Sequence, residues 1–296
     1  MTVIGVIAQG MMGAGVGRRL HESGAKVRTL LTGRSSKSAE RARAAGMEPA
    51  ADEHALLADS DFFLSILPPG EAESLARHLA PALKALDRKP VYVDCNAVSP
   101  QTALRIGEII APTGADFVDG GIIGGPPRPG YSPTIYASGP TAGQTAVLRD
   151  WGIGWRVIDG PIGAASALKM SYAGITKGTT AIASAMLLGA ARFGCGEALI
   201  AELTESQPEM LARFRDGIPR MYDKAYRWVA EMEEISDFLE QNPPSRDIYA
   251  AVARLYAHLA KAEAENEPGP DNAVRTLDRV LGINFSLAPL AGRGSG

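Results

Sequence analysis

The run Gly163-Ala-Ala-Ser-Ala-Leu-Lys169-Met-Ser-Tyr172 places one ammonium group two turns into a stretch of small and apolar residues. Such a lysine either snorkels to a surface, which composition favours, or sits in a cleft. In a cleft, loss of water lowers its pKa toward the range of general acid–base chemistry. Tyr172, three residues on, shares nearly the same helical face. Lys177 falls about 80° further round the helix and about 12 Å along it. A second set of groups lies upstream. Gly120-Gly-Ile-Ile-Gly-Gly-Pro-Pro-Arg128 carries more glycine than a turn needs. Open amides at Gly124 and Gly125 suit a carboxylate or another anion, with Arg128 either assisting or simply at the surface. Asn96, in Asp94-Cys-Asn-Ala-Val-Ser-Pro100, can donate and accept toward a hydroxyl. Ser99 before Pro100 is more simply a helix cap.

The amino terminus supplies a different chemistry. An apolar run from Val3 enters Ala8-Gln-Gly10-Met11-Met12-Gly13 and then a helical pattern. The spacing is that of G-x-G-x-x-G with alanine first, which a tight turn tolerates at negative φ. After a strand and before a helix, such a turn aims backbone amides and a positive helix end at a pyrophosphate. The bland alternative is an ordinary tight turn. About twenty residues later, where an acid would hold the ribose 2′-hydroxyl of NAD, stand Arg34, Ser35, Ser36 and Lys37. A guanidinium with neighbouring hydroxyls suits a 2′-phosphate; alternatively Ser35 or Ser36 caps a helix among solvated basic neighbours. The cofactor expected is NADP(H) rather than NAD(H). Leu67-Pro68-Pro69 then forms a stiff wall for the nicotinamide ribose, or a plain turn, and Asn96 lies at the end of the next strand.

These groups need a scaffold, and the hydrophobic pattern provides one. Apolar strand candidates are Val3–Ala8, Val27–Leu31, Phe62–Leu67, Val91–Asp94, Phe117–Asp119, Thr134–Ala137 and Trp155–Ile158. Helical patterns fall between them, at Gly13–Glu22, Ser36–Ala45, Glu71–Leu86, Pro100–Ile110 and Ala142–Trp151. Nearly continuous apolar strands are those of a parallel sheet covered on both faces. The fold class expected is therefore α/β: a Rossmann-like doubly wound sheet over 1–160, then a helical domain over 161–285. That domain opens with a long interdomain helix at about 162–192, roughly 45 Å long. Further helices are expected at Glu197–Glu205, Pro208–Arg215, Pro219–Gln241 and Ser245–Glu265, and residues 286–296 read as a mobile tail.

Composition narrows the class. With 296 residues, 46% hydrophobic and net charge −3, the chain has material for two cores and no basic excess for nucleic acid. Cys95 and Cys195 have no metal or disulfide spacing, so no metal is expected. The apolar run Gly178–Ala191 is too short to span a bilayer. A cytoplasmic protein without membrane or nucleic-acid partners is expected. The small-residue helix suggests a homodimer formed through the helical domain.

Taken together, these loops resemble those of the beta-hydroxyacid dehydrogenase family, which includes 3-hydroxyisobutyrate and 6-phosphogluconate dehydrogenases, and more closely a divergent phosphogluconate-dehydrogenase-like branch with its own helical C-terminal domain. The resemblance covers about residues 3–192. The family's Asp-x-Ser-Thr-x-x-Pro loop falls on Asp94–Pro100, with Asn96 and Ala97 replacing Ser and Thr. Its Ser-Gly-Gly loop falls on Ile123-Gly124-Gly125, and its Lys-x-x-Asn on Lys169-Met-Ser-Tyr172. The resemblance implies Lys169 as general acid/base, with Asn96, Gly124, Gly125 and Tyr172 around a small-molecule substrate. Loss of the serine and the asparagine makes the pocket more apolar and aromatic than a small 3-hydroxy acid would need. Two other readings stand beside a dehydrogenase acting on a CH–OH/C=O pair: an imine reductase using Tyr172, and a non-catalytic NADP-binding regulatory protein.

Overall fold

The computed structural model describes residues 2–265 and 272–283. The expected tail at 286–296 lies outside the described residues. By backbone proximity the chain divides into two compact units, one of Met1–Ala173 with Glu234–Arg246, the other of Gly174–Glu233 with Asp247–Gly296. The division falls inside a helix, thirteen residues after the expected boundary at 160.

The first unit is built on eight strands: β1 (Val3–Ile7), β2 (Lys26–Thr29), β3 (Glu48–Pro49), β4 (Phe62–Ser65), β5 (Val91–Asp94), β6 (Phe117–Ile123), β7 (Thr134–Ser138) and β8 (Gly154–Val157). They form one sheet in the order β3-β2-β1-β4-β5-β6-β7-β8. Strands β1 to β6 are parallel, as the apolar runs suggested. The expected parallel sheet is corrected at its far side, where β7 runs antiparallel to β6. Alternation and burial look the same in either direction, so an apolar run does not encode it. Helices α1 (Met11–Glu22), α2 (Ser36–Ala44), α3 (Glu53–Asp59), α4 (Ala72–Ala85) and α5 (Pro100–Ile110) link the parallel strands. Two apolar clusters result, one centred on Val6, Val16, Val27, Leu64 and Val93, the other on Leu57, Phe63, Leu79, Tyr92 and Ile106.

Several boundaries differ for local reasons. Strand β6 runs to Ile123 rather than stopping at Asp119. Its Gly120 and Gly121 lie where neighbouring backbone leaves no room for a side chain, so the glycines continue the strand instead of ending it. Ala142–Trp151 winds as a 3-10 helix instead of an α-helix. Short β3 and α3 were not expected; α3 is announced by Asp52, whose carboxylate accepts from the Ala55 amide at 2.7 Å.

The long helix α6 spans Ala164–Arg192, and its first ten residues belong to the first unit. The chain continues through α7 (Gly196–Ser206), α8 (Pro208–Gly217), α9 (Ala225–Phe238), α10 (Pro243–Glu265) and α11 (Ala273–Leu281), all in the second unit except the end of α9 and the start of α10, which fall in Glu234–Arg246 of the first. The continuous helix expected over Pro219–Gln241 is instead a 3-10 turn, Pro219–Lys224, followed by α9. Pro243 and Pro244 open α10 instead of preceding it, since proline fits a first helical turn whose amides lack partners anyway. Inside the second unit Lys177 pairs with Glu231 and lies 4.8 Å from the centroid of the Trp228 ring, so its ammonium is a structural charge of the helical core. Among the described residues no helix is long and apolar enough to cross a membrane, and no His, Cys, Asp or Glu group is arranged to hold a metal.

Candidate active site

Open α/β sheets bind ligands beyond the carboxyl ends of their strands, where the order reverses. Here β1 pairs with both β2 and β4, so that place lies beyond Ile7. The glycine turn occupies it. Gly10 is the cap of α1, no side chain bonds to the helix start, and the first turn holds no acid. The first intrahelical bond is donated by Ala14 to Gly10, which leaves the Met11, Met12 and Gly13 amides without helical acceptors. A Cβ on Gly13 would fall 1.8 Å from the Ala8 carbonyl oxygen, while one on Gly10 would meet nothing within 4 Å. Gly13 thus permits strand and helix to touch, and Gly10 keeps the approach to the amides open. Gln9, just before Gly10, is buried; its amide donates to Thr29 Oγ1 and to the Leu30 carbonyl. It ties the turn to the end of β2, a role that sequence reading missed because the motif treats this position as variable.

Arg34 follows β2 and lines a groove of about 380 Å³ with Leu67, Glu71, Ser74, Leu75 and His78. Ser35 is the cap of α2: its hydroxyl accepts from the Ser38 amide at 3.3 Å and lies 3.1 Å from Ser38 Oγ. Ser36 is exposed at the first helical position. The groove therefore presents one strong cation, Arg34, beside apolar Leu67 and Leu75. Glu71 shares it as an opposing charge.

The next two strand ends are wired together. Asn96 is 2% exposed. Its carbonyl accepts from the Leu67 amide, and its NH₂ group donates to Ser65 Oγ at 2.8 Å and to Asp94. These bonds engage both amide hydrogens, so Asn96 acts as a strut that fixes Leu67 ahead of Pro68 and Pro69. Direct bonding to a sugar or substrate hydroxyl falls to the remaining lone pair of its carbonyl. Asp94 is fully buried beside Asp119 in the register of β5 and β6. Burial, then the Asp119 charge, push its carboxyl up to about 7, against the bonds from Asn96 and Ser65. Burial likewise pushes the Cys95 thiol well up, which keeps it neutral and inert.

The glycine-dense segment divides into two functions. A Cβ on Gly120 would fall 2.8 Å from the Asp94 carbonyl oxygen. One on Gly121 would fall 2.7 Å from the Ala165 carbonyl oxygen and 3.1 Å from the Cβ of Lys169. This pair lets β5 and α6 close onto β6, and brings Lys169 against the strand. Gly124 adopts φ +124°, which only glycine takes without strain. The Gly125 amide donates to the Tyr131 hydroxyl at 3.1 Å, so an anion there would compete with that bond. The Arg128 guanidinium stacks 5.1 Å from the Tyr131 ring centroid, and its carbonyl accepts from Arg19 at 2.9 Å; it belongs to the surface of this loop. Lys169 is half-buried and Tyr172, one turn on, is exposed.

Comparison with known proteins agrees with this geometry. Residues 3–149 match the NAD binding domain of 6-phosphogluconate dehydrogenase, and residues 190–259 match a domain of unknown function, DUF1932. An uncharacterized 28.5 kDa protein of Methanothermus fervidus is 29% identical over 235 residues, covering 79% of this chain and 90% of its own. A solved structure of the conserved protein MTH1747, of unknown function and described as similar to 3-hydroxyacid dehydrogenases, is 28% identical. It superposes with a TM-score of 0.69 over 90% of this chain and all of its own. The 3-hydroxyisobutyrate dehydrogenase of Mycobacterium tuberculosis, solved with L-serine, is 19% identical. It shares the fold with a TM-score of 0.67 over 95% of this chain and 98% of its own.

Proposed function

We propose that this chain, an NAD(P)-dependent oxidoreductase of the hydroxyacid-dehydrogenase type that carries the NAD binding domain of 6-phosphogluconate dehydrogenase ahead of a DUF1932 domain, uses NADP(H) and acts on a CH–OH/C=O pair. The observation that carries the reading is the placement of Lys169 against Gly121 on β6, the strand paired to β5, whose Asn96 loop braces Leu67. One strand end offers amides for a pyrophosphate, the next a stiff wall, and the helix packed on β6 a lysine.

When bound, the nicotinamide supplies or accepts the hydride. The chain does the rest. The amides of Met11, Met12 and Gly13 bind the pyrophosphate. Arg34 pairs with the 2′-phosphate, with Ser36 beside it, while Ser35 holds the start of α2. Leu67, Pro68 and Pro69, held by Asn96, limit the movement of the ribose. Lys169 gives a proton to the substrate oxygen during reduction and takes it back during oxidation. Gly124 and Gly125 border the substrate, and Tyr172 gives the pocket its aromatic side. This favours a less polar carbonyl compound than a small hydroxy acid.

The same reading assigns a homodimer to α6. Exposed apolar residues recur along it at intervals of four or seven: Ile175, Ile182, Met186 and, just past its end, Phe193. A seam of that period pairs naturally with a copy of itself.

Two measurements test the activity. Titration of NADPH fluorescence tests the cofactor site, and absence of binding ends the reading. Assays of aldehydes, ketones, hydroxy acids and imines with wild type and Lys169→Ala test the chemistry. Carbonyl reduction that collapses in the variant is expected. Full activity in Lys169→Ala removes Lys169 from the mechanism, and imine reduction dependent on Tyr172 replaces it with the alternative enzyme.

A further inference from the structure

Helix α6 begins without a capping side chain of its own. Gly163 precedes it at φ +97°, so the amides of its first turn need acceptors from elsewhere. The Pro161 carbonyl serves the Ala164 amide at 3.1 Å, and the sheet supplies the others. Asp119 Oδ2, on β6, accepts from the Gly163 amide at 2.9 Å, the Ser166 amide at 3.0 Å and Ser138 Oγ at 3.0 Å. Its Oδ1 accepts from Ser166 Oγ at 2.6 Å. Ser138 Oγ, on β7, in turn accepts from the Ala165 amide at 2.9 Å. Asp119, Ser138 and Ser166 are all essentially unexposed.

The geometry is specific about where this anchor acts. Alternate residues of a strand share a face, so Asp119 and Gly121 both face the same side of the sheet. Ser166 and Lys169 are one turn apart on α6 and share a helical face. The anchored pair is thus Asp119 with Ser166, and the next pair along is Gly121 with Lys169. A one-residue slip of α6 would turn it by about 100°, breaking both pairs at once. The buried negative charge also sits at the positive end of a 29-residue helix, where it is stabilised.

We infer that Asp119 is a positioning residue: with Ser138 it fixes the rotation and depth of α6 and so places the Lys169 ammonium for proton transfer. The inference deepens the proposed function and rests on its assignment of Lys169. A purely stabilising cap would lower the melting temperature without acting through that lysine.

The test uses the full chain and the variants Asp119→Ala, Asp119→Asn, Ser166→Ala and Lys169→Ala. Asparagine retains an acceptor for the two amides, and Ser166→Ala removes one bond only, so each keeps a folded variant available. Hydrogen exchange is expected to rise at least tenfold across residues 163–170 in Asp119→Ala, with β1, β4 and β5 unchanged, and to recover in Asp119→Asn. With the carbonyl substrate that the panel identifies, kcat is expected to fall at least tenfold in Asp119→Ala, while the NADPH dissociation constant stays within twofold. In the Lys169→Ala background the same change is expected to cost nothing further. Unchanged exchange overturns the anchor, whatever Lys169 does. An equal loss of kcat with and without Lys169 overturns action through the lysine. Full activity of Lys169→Ala strikes the assignment of Lys169 and with it the catalytic half of this inference; exchange still decides whether Asp119 holds the helix.

Discussion

Gly121 and Lys169 stand in direct apposition: a Cβ on Gly121 would lie 3.1 Å from the Lys169 Cβ and 2.7 Å from the Ala165 carbonyl oxygen. The second distance is shorter than any carbon–oxygen contact the helix backbone can absorb without moving. Gly121→Ala is therefore expected to push α6 off the strand, at a stability cost of about 1–3 kcal/mol for an overpacked site. Loss of turnover should exceed loss of stability, because Lys169 is displaced with the helix. Melting temperature and kcat measured together check this. A variant that melts lower but turns over normally would show that Lys169 does not depend on this contact.

Arg34 and Ser35 are adjacent in sequence but separate in function. Arg34 faces the groove beyond β2, whereas the Ser35 hydroxyl is engaged with Ser38 as a helix cap. Arg34→Ala should weaken NADPH binding roughly 10- to 100-fold, the equivalent of a charge-assisted pair, and leave NADH binding nearly unchanged. Ser35→Ala should instead lower stability by about 1 kcal/mol, the usual value of a lost cap, with a smaller change in cofactor preference. Fluorescence titrations of both nucleotides against both variants separate the two roles. An unaltered NADPH preference in Arg34→Ala would move the 2′-phosphate elsewhere.

Much of this arrangement was legible in the chain because it depends on local chemistry. The glycine turn sits where it does because Gly13 alone permits the Ala8–Gly13 contact, and Pro100–Ile110 begins and ends where its serine, proline and apolar spacing place it. The direction of β7 was not legible, since strand periodicity carries no polarity. The role of Asp119 was hidden for a related reason. Glycines at 120 and 121 resemble a strand end, so the aspartate looked like the last residue of a short strand instead of the middle of a longer one. Asn96 looked like an outward-facing hydrogen bonder because its neighbours Ser65 and Leu67 are 31 and 29 residues away in sequence. Long-range partners are what one sequence withholds.

Asp94 gives the molecule a pH dependence with a definite sign. Burial and the neighbouring Asp119 raise its carboxyl from the ordinary carboxylate value to about 7. The folded protein then holds a proton that the unfolded chain releases from about pH 4 upward. Its stabilising contribution is complete below the unfolded pKa and is lost as pH rises through 7. Asp94→Asn cannot ionise and should not share that loss. The melting temperature of wild type relative to the variant is expected to be more favourable at pH 5 than at pH 8, because the contribution declines between the unfolded pKa and about 7. Thermal melts at both values check it; a pH-independent difference would mean that the charged carboxylate is as well accommodated as the neutral one.

The exposed seam of α6 makes the last prediction. Ile175, Ile182 and Met186 are 69%, 58% and 62% exposed, far more than large apolar side chains on a finished surface require. Thr179 and Gly189 fall in the same register as smaller members, which leaves room for a close helix partner. Wild type is expected to sediment at twice the 31.1 kDa chain mass. Ile182→Asp with Met186→Asp should return it to the chain mass, because each charge would be buried unpaired in the paired helices. Neither side chain is buried within the single chain, so the isolated fold should lose little: far-UV dichroism should be unchanged even as the mass halves. A wild type that is monomeric at micromolar concentration would sink the dimer and leave the seam to another partner.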